Sequence, residues 1–173
     1  MLEKNIVYYK IIDKKELKTE SNSSDTKKAR YLLEKMLLSF NIELPEIYNS
    51  INGKPYFKNS NIYFNYSHSK NYIACAISLE EVGIDIEETN RIISDMIAIK
   101  YLDNVTNNNK RIETWVKKEA YSKLKGLGLK IKIQNIKLAK IKENNILISN
   151  NNYICSIFSS NNKSKFKEIK SIM

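Results

Sequence analysis

Val82-Gly83-Ile84-Asp85-Ile86-Glu87 is the stretch on which the fold turns. Val82, Ile84 and Ile86 alternate with Gly83, Asp85 and Glu87, the period of a strand with one apolar face and both carboxylates on the other. Farther along, Trp115-Val116-Lys117-Lys118-Glu119-Ala120-Tyr121-Ser122-Lys123 leads into Gly126-Leu127-Gly128-Leu129. On a helix of about 3.6 residues per turn, Ile112, Trp115, Val116, Leu124 and Leu127 share one apolar stripe, and Glu119 and Lys123 fall inside it. A charge on a core-facing stripe is costly, so a Glu and Lys four apart there call for each other, a metal or a ligand. Two same-face carboxylates joined by a third from a helix make the sparse oxygen set that Mg²⁺ accepts beside waters and phosphate. Taken separately, the helix pair is also readable as an ordinary ion pair, and the strand as half-buried with its acids in water.

Around these two stretches the chain reads as strands and helices in alternation. Asn5 to Asp13 has a strand's pattern and Glu20 to Ser24 that of a polar loop. Ala29, Leu32, Leu33, Met36, Leu37 and Phe40 recur at helical spacing after Asp25, an N-cap residue, and this helix should end before Pro45. Arg30 lies at the edge of that stripe, placed either for water or for phosphate, which guanidinium suits. Asn52-Gly53-Lys54-Pro55 has the chemistry of a turn. Ile62 to Tyr66 and Tyr72 to Ile77 read as strands, which puts Ser67-His68-Ser69 at a strand end, with donors available to an anion. Ser94 to Tyr101 reads as a helix, Asn107 to Asn109 as a loop, and Lys110 to Lys125 as a helix closed by Gly126. Lys130 to Lys140, Ile146 to Ser149 and Tyr153 to Ser159 read as an antiparallel meander. Phe166, Ile169 and Ile172 suit a last short strand or helix.

The chain has 173 residues, enough for one domain or two closely packed halves. A net charge of +10 favours acidic partners, phosphate-rich ligands and acidic proteins as well as nucleic acid. The lysines are dispersed among asparagines and isoleucines, without the basic arm or aromatic platform that nucleic-acid binding favours. No apolar run reaches the length of a membrane span or a signal-peptide core, so a soluble, cytoplasmic protein is expected. With one histidine and with Cys75 and Cys155 far apart, a Cys/His zinc site is excluded, and two buried free thiols are expected. A Walker-type loop is also excluded, because Gly126-Leu127-Gly128 follows a helix instead of opening one.

Four motifs in order, Gly53-Lys54-Pro55, Phe64-Asn65-Tyr66-Ser67-His68-Ser69, Val82 to Glu87, and Trp115, Lys118, Glu119 and Lys123 in the pattern Trp-x-x-Lys-Glu-x-x-x-Lys, resemble the 4'-phosphopantetheinyl transferase superfamily, in its larger, Sfp (surfactin-synthetase-activating) type. The resemblance implies an α+β fold of two pseudo-symmetric halves, each a small antiparallel sheet with a packed helix, and an active site in the cleft between them. Residues 1–80 would form the N-terminal half, binding the adenine and 3'-phosphate of CoA. Residues 81–173 would carry the metal site and the catalytic helix. The implied reaction moves the 4'-phosphopantetheine arm of CoA to a serine of an apo acyl or peptidyl carrier protein and releases adenosine 3',5'-bisphosphate.

By the same resemblance, Asp85, Glu87 and Glu119 would hold Mg²⁺ or Mn²⁺, Glu119 would be the base, and Lys123 would steady the phosphate. Arg30, Gly53, Lys54, Pro55, Ser67, His68, Lys118 and Lys123 would bind CoA, while Trp115 packs to fix the base. The two-halved length implies a monomer, with neither membrane nor nucleic acid as partner. Two features depart from the family: the segment before Trp115 is abbreviated and Asn-rich, with Asp103 as its nearest acid and no assigned role, and the amino-terminal region is short. The competing readings are an inert CoA- or phosphate-binding module and a basic nucleic-acid-binding protein.

Overall fold

Apolar alternation makes Ile6–Asp13 the first strand, β1, with Val7 and Ile11 on one face and Tyr8 and Ile12 on the other. The structure, a computed structural model, describes residues 1–19, 23–126 and 133–171. The proposed polar loop at 20–24 lies partly outside them. Helix α1, Asp25–Leu38, is capped by Ser24, whose Oγ accepts from the Lys27 amide at 3.3 Å. Asp25 is therefore the first helical residue and not the cap, and its carboxylate takes Lys14 at 2.7 Å and His68 Nδ1 at 3.2 Å. A hairpin follows, β2 (Ile47–Asn49) and β3 (Pro55–Phe57). Its turn needs Gly53 at φ 84°, a left-handed conformation that side chains disfavour. Strands β4 (Tyr63–His68) and β5 (Tyr72–Ser78) pair antiparallel, so His68 does end a strand.

The second half repeats this order. Strand β6 (Val82–Glu88) leads to α2 (Asp95–Tyr101) and α3 (Asn108–Lys125), then to β7 (Asn144–Ser149) and β8 (Tyr153–Ser159). Asn107 caps α3, accepting from the Lys110 amide at 3.1 Å, and Gly126 closes it at φ 62°. In the first sheet the order is β4-β5-β1 and in the second β7-β8-β6. Each half thus pairs its first strand with its last and its last with its middle one, all antiparallel, the same βαββ path twice. The fold is α+β, as the sequence implies.

A ninth strand, β9 (Lys165–Glu168), breaks the symmetry by running back to the first sheet and pairing parallel with β1. Phe166 and Ile169 sit on or beside it, whereas Ile172 lies outside the described residues. One expectation fails: Ile133–Asn135 and Leu138–Lys140 are single 3₁₀ turns and not part of a strand, while 130–132 are not described. Lysine–isoleucine alternation in that segment imitates a strand's period, but alternation alone does not make a strand, and Ile133–Asn135 and Leu138–Lys140 close on local 3₁₀ hydrogen bonds instead.

The alternation in β6 decides how the halves join. Val82, Ile84 and Ile86 pack with Val7, Ile11, Ala74, Ala76, Cys155 and Ile157, so the two sheets meet face to face with small residues between them. The outer face of the first sheet is covered by α1 through Leu32, Leu33, Met36 and Leu37. On the outer face of the second sheet, α3 covers the side of β6 that carries Gly83, Asp85 and Glu87. There the helix comes into backbone contact: a Cβ on Gly83 would stand 2.1 Å from the Ala120 carbonyl oxygen and 2.3 Å from the Leu124 nitrogen. Glycine permits this approach, and the approach brings α3's inward charges onto the strand's carboxylates. Cys75 and Cys155 are buried and free, as expected. No described helix is long and apolar enough to cross a membrane.

Candidate active site

Strand β4 lies along β6 where the sheets meet, and their side chains are laced together. Asn65 Oδ1 accepts from the Ile84 amide at 3.0 Å, and Ser67 Oγ donates to Asp85 Oδ1 at 2.8 Å. Lys123 reaches across from α3 and donates to Asp85 Oδ1 at 2.6 Å and to Ser67 Oγ at 2.9 Å. Lys123 therefore pairs with the strand's aspartate, not with Glu119 one turn before it. Glu119 forms no ion pair among the described residues and lines a cleft of about 990 Å³. Gly53, Lys54, Pro55, Asn65 and Tyr66 form one wall of that cleft, Lys100, Tyr101 and Trp115 another, and Ser122, Lys123 and Gly126 continue its α3 side.

The carboxylates act on one another. Burial pushes the Glu87 carboxyl up to about 7, helped by the charge of Asp85 and opposed by Arg91. Glu119 is also raised, by burial first and by Asp85 second. Arg91 is ion-paired with Glu87 and stacks over the Trp115 ring at 5.0 Å. Asp85 Oδ2 is buried without a donor among the described residues. Among the described residues no three His, Cys, Asp or Glu side chains stand close enough together to hold an ion. The donor chemistry at Asp85 still suits a divalent cation: its buried Oδ2 has no donor, and its charge helps to raise Glu87 and Glu119, so added positive charge there would relieve all three, although they do not stand together as a ready triad.

A stability measurement reads this electrostatic strain. Because Glu87's folded value lies above its ordinary 4.5, the native state keeps a proton that the unfolded chain has lost between about 4.5 and 7. Stability must then fall as pH rises through that window. Glu87→Gln should remove the dependence, so the EDTA-treated variant gains on the parent by about 1–2 kcal/mol at pH 8, after allowing for solvent screening, and by little at pH 5. Denaturant midpoints at the two pH values check this, and a gap that does not change with pH would contradict it.

The remaining motif residues are placed as follows. Lys54 is buried and donates to the Leu124 carbonyl at 2.6 Å and to Glu81 at 3.2 Å, so the Asn-Gly-Lys-Pro turn is tied to the end of α3. Its own burial depresses its ammonium pKa. His68 is exposed, held by Asp25, and does not line the cleft. Arg30 is exposed on α1, near enough for its charge to act on Tyr66 at the cleft wall. Lys118, expected at a phosphate, is instead fully enclosed and is not a lining residue, because Tyr101 O and Asp103 hold its ammonium. Leu127 lies outside the described residues.

The sequence reading passed over Asn65, Tyr66, Arg91 and Tyr101. Asn65 and Tyr66 belong to the quoted Phe64–Ser69 motif and were findable there. Arg91 carries a weaker signal, a cation four residues after Glu87.

No family model matches the chain. A curated protein named 4'-phosphopantetheinyl transferase gsp, from Aneurinibacillus migulanus, is 32% identical over 114 residues, covering 57% of this chain. The match spans 46% of that relative, so the chain covers about half of its length. In its motifs, its twice-repeated βαββ path and this relative, the chain is similar to the 4'-phosphopantetheinyl transferase superfamily, of the Sfp type.

Proposed function

We propose that this protein transfers the 4'-phosphopantetheine arm of CoA to a serine hydroxyl of an apo acyl or peptidyl carrier protein, releasing adenosine 3',5'-bisphosphate. The observation that carries the reading is Glu119, a cleft carboxylate without an ion-pair partner among the described residues, one helical turn from Lys123, its pKa raised by burial and by Asp85. Such a group suits a general base, since a raised carboxyl takes up a proton more readily than a solvated one. Glu119 takes the proton of the serine hydroxyl as oxygen attacks the β-phosphorus and the pyrophosphate bond breaks. Lys123, held at Asp85 and Ser67, meets the charge that develops on the phosphate oxygens.

The reading includes Mg²⁺, which Asp85 would hold first and around which Glu87 and Glu119 would have to close, since the three do not form a ready triad; there it would neutralise the pyrophosphate. Gly53, Lys54 and Pro55 bind the adenine side of CoA, and Arg30, Ser67 and His68 its phosphates. The protein works as a monomer in the cytoplasm; two matching halves supply both cleft walls from one chain, and the two free thiols suit a reducing compartment. The test is the leaving group. Incubation with CoA, Mg²⁺ and an apo carrier protein should release adenosine 3',5'-bisphosphate in step with CoA consumption and release none without the carrier. Release that is indifferent to the carrier would overturn the reading.

A further inference from the structure

Lys118 is among the largest wholly enclosed side chains, with 0% of its surface exposed. A lysine at such a depth is costly, and an apolar residue of the same volume is often the more stable choice. Its ammonium has two partners, the Tyr101 carbonyl at 2.7 Å and Asp103 Oδ2 at 3.1 Å. Asp103 also takes Lys137 at 2.7 Å, and these two ammonium groups hold its carboxyl below the usual range. To return that carboxylate toward α3, the chain turns directly after α2 through two consecutive left-handed residues, Asp103 at φ 54° and Asn104 at φ 59°. Asp and Asn accept this conformation more readily than other side chains, so the reversal costs little here. Here the residues next to the turn, Lys100 and Tyr101, line the cleft, and the Tyr101 ring stands edge-on to Trp115 at 6.5 Å.

We propose that Lys118 and Asp103 are positioning residues, a clasp that holds the Lys100–Tyr101 wall against Trp115 of α3 and so sets the cleft's affinity for its ligand. The identity of that ligand as CoA rests on the transferase reading. The clasp gives Asp103 a task in the abbreviated segment before Trp115 and turns Lys118 from a phosphate contact into a tether. A tether acts on binding more than on turnover, which separates it from a group that touches the reacting atoms.

Trp115 is the sole tryptophan, so its emission reports on the wall directly. Asp103→Asn is the variant of choice, because asparagine accepts the left-handed backbone while the charge is lost. CoA should bind it about tenfold more weakly in a Trp115 titration, the worth of one charged hydrogen bond, with kcat at saturating CoA within about twofold of the parent. Lys118→Met, which refills the space, should weaken binding too, and the double variant should bind no more weakly than the worse single one. Unchanged affinity with lowered kcat, or losses that add, would overturn the clasp. Should the parent itself not bind CoA, the transferase reading fails, and acrylamide quenching of Trp115 decides: a rise in Asp103→Asn upholds the clasp, and equal quenching defeats it.

Discussion

Glu119→Gln should lower phosphopantetheine transfer by about 10²–10⁴-fold, the usual worth of a general base, while the fold and CoA binding persist. The substitution keeps the shape and the half-buried setting on α3 and removes only the ability to take a proton. Burial and the nearby Asp85 raise the Glu119 carboxyl, so it accepts a proton more readily than a solvated glutamate would. The same shift gives the parent's rate an acid limb: activity falls as pH drops through the raised value, because the base is then already protonated. Single-turnover rates across pH, with CoA binding followed separately by Trp115 emission, check both parts. A variant that binds CoA and turns over like the parent would remove Glu119 from the chemistry.

Gly83→Ala should reduce folding stability by about 3 kcal/mol, the upper range for a core that must accept extra volume. The added Cβ would lie 2.1 Å from the Ala120 carbonyl oxygen, 2.3 Å from the Leu124 nitrogen and 2.8 Å from the Leu124 Cα. All three are backbone atoms of one helix, so no side chain can rotate aside, and α3 would have to leave β6. Displacing α3 also withdraws Glu119 from the cleft and Lys123 from Asp85, so transfer should fail even in the fraction that folds. Denaturant unfolding of parent and variant gives the number. A loss under about 0.5 kcal/mol, the range of an ordinary surface substitution, would mean that the helix does not sit on the strand as described.

The legible parts of this protein are those coded by short periods. Val82, Ile84 and Ile86 announced a strand, and its apolar face does meet the other sheet. Ile112, Val116 and Leu124 announced the buried side of α3, and Gly126 its end. What a period cannot encode is the partner across a long gap. The i, i+4 spacing of Glu119 and Lys123 called for each other, a metal or a ligand as partner, but Lys123 bonds to Asp85 and Ser67, contributed by two strands far off in sequence. Lys118 falls outside the apolar stripe on a helical wheel, and its partners, the Tyr101 carbonyl and Asp103, come from a segment 15 to 17 residues away. The return of β9 to β1 is likewise a long-range pairing with no local signal. At Ile133–Asn135 the local signal was present and misleading, since alternation makes a strand only when the segment pairs with another, and this one closes into a 3₁₀ turn.

Intact-mass spectrometry of an apo carrier protein incubated with this protein, CoA and Mg²⁺ reads phosphopantetheine transfer itself, with an EDTA control and Glu119→Gln beside it. The carrier should gain one phosphopantetheine, a gain lost with EDTA and lost in the variant. A carrier mass that stays unchanged across several unrelated acyl and peptidyl carriers, while CoA is shown to bind, would contradict it.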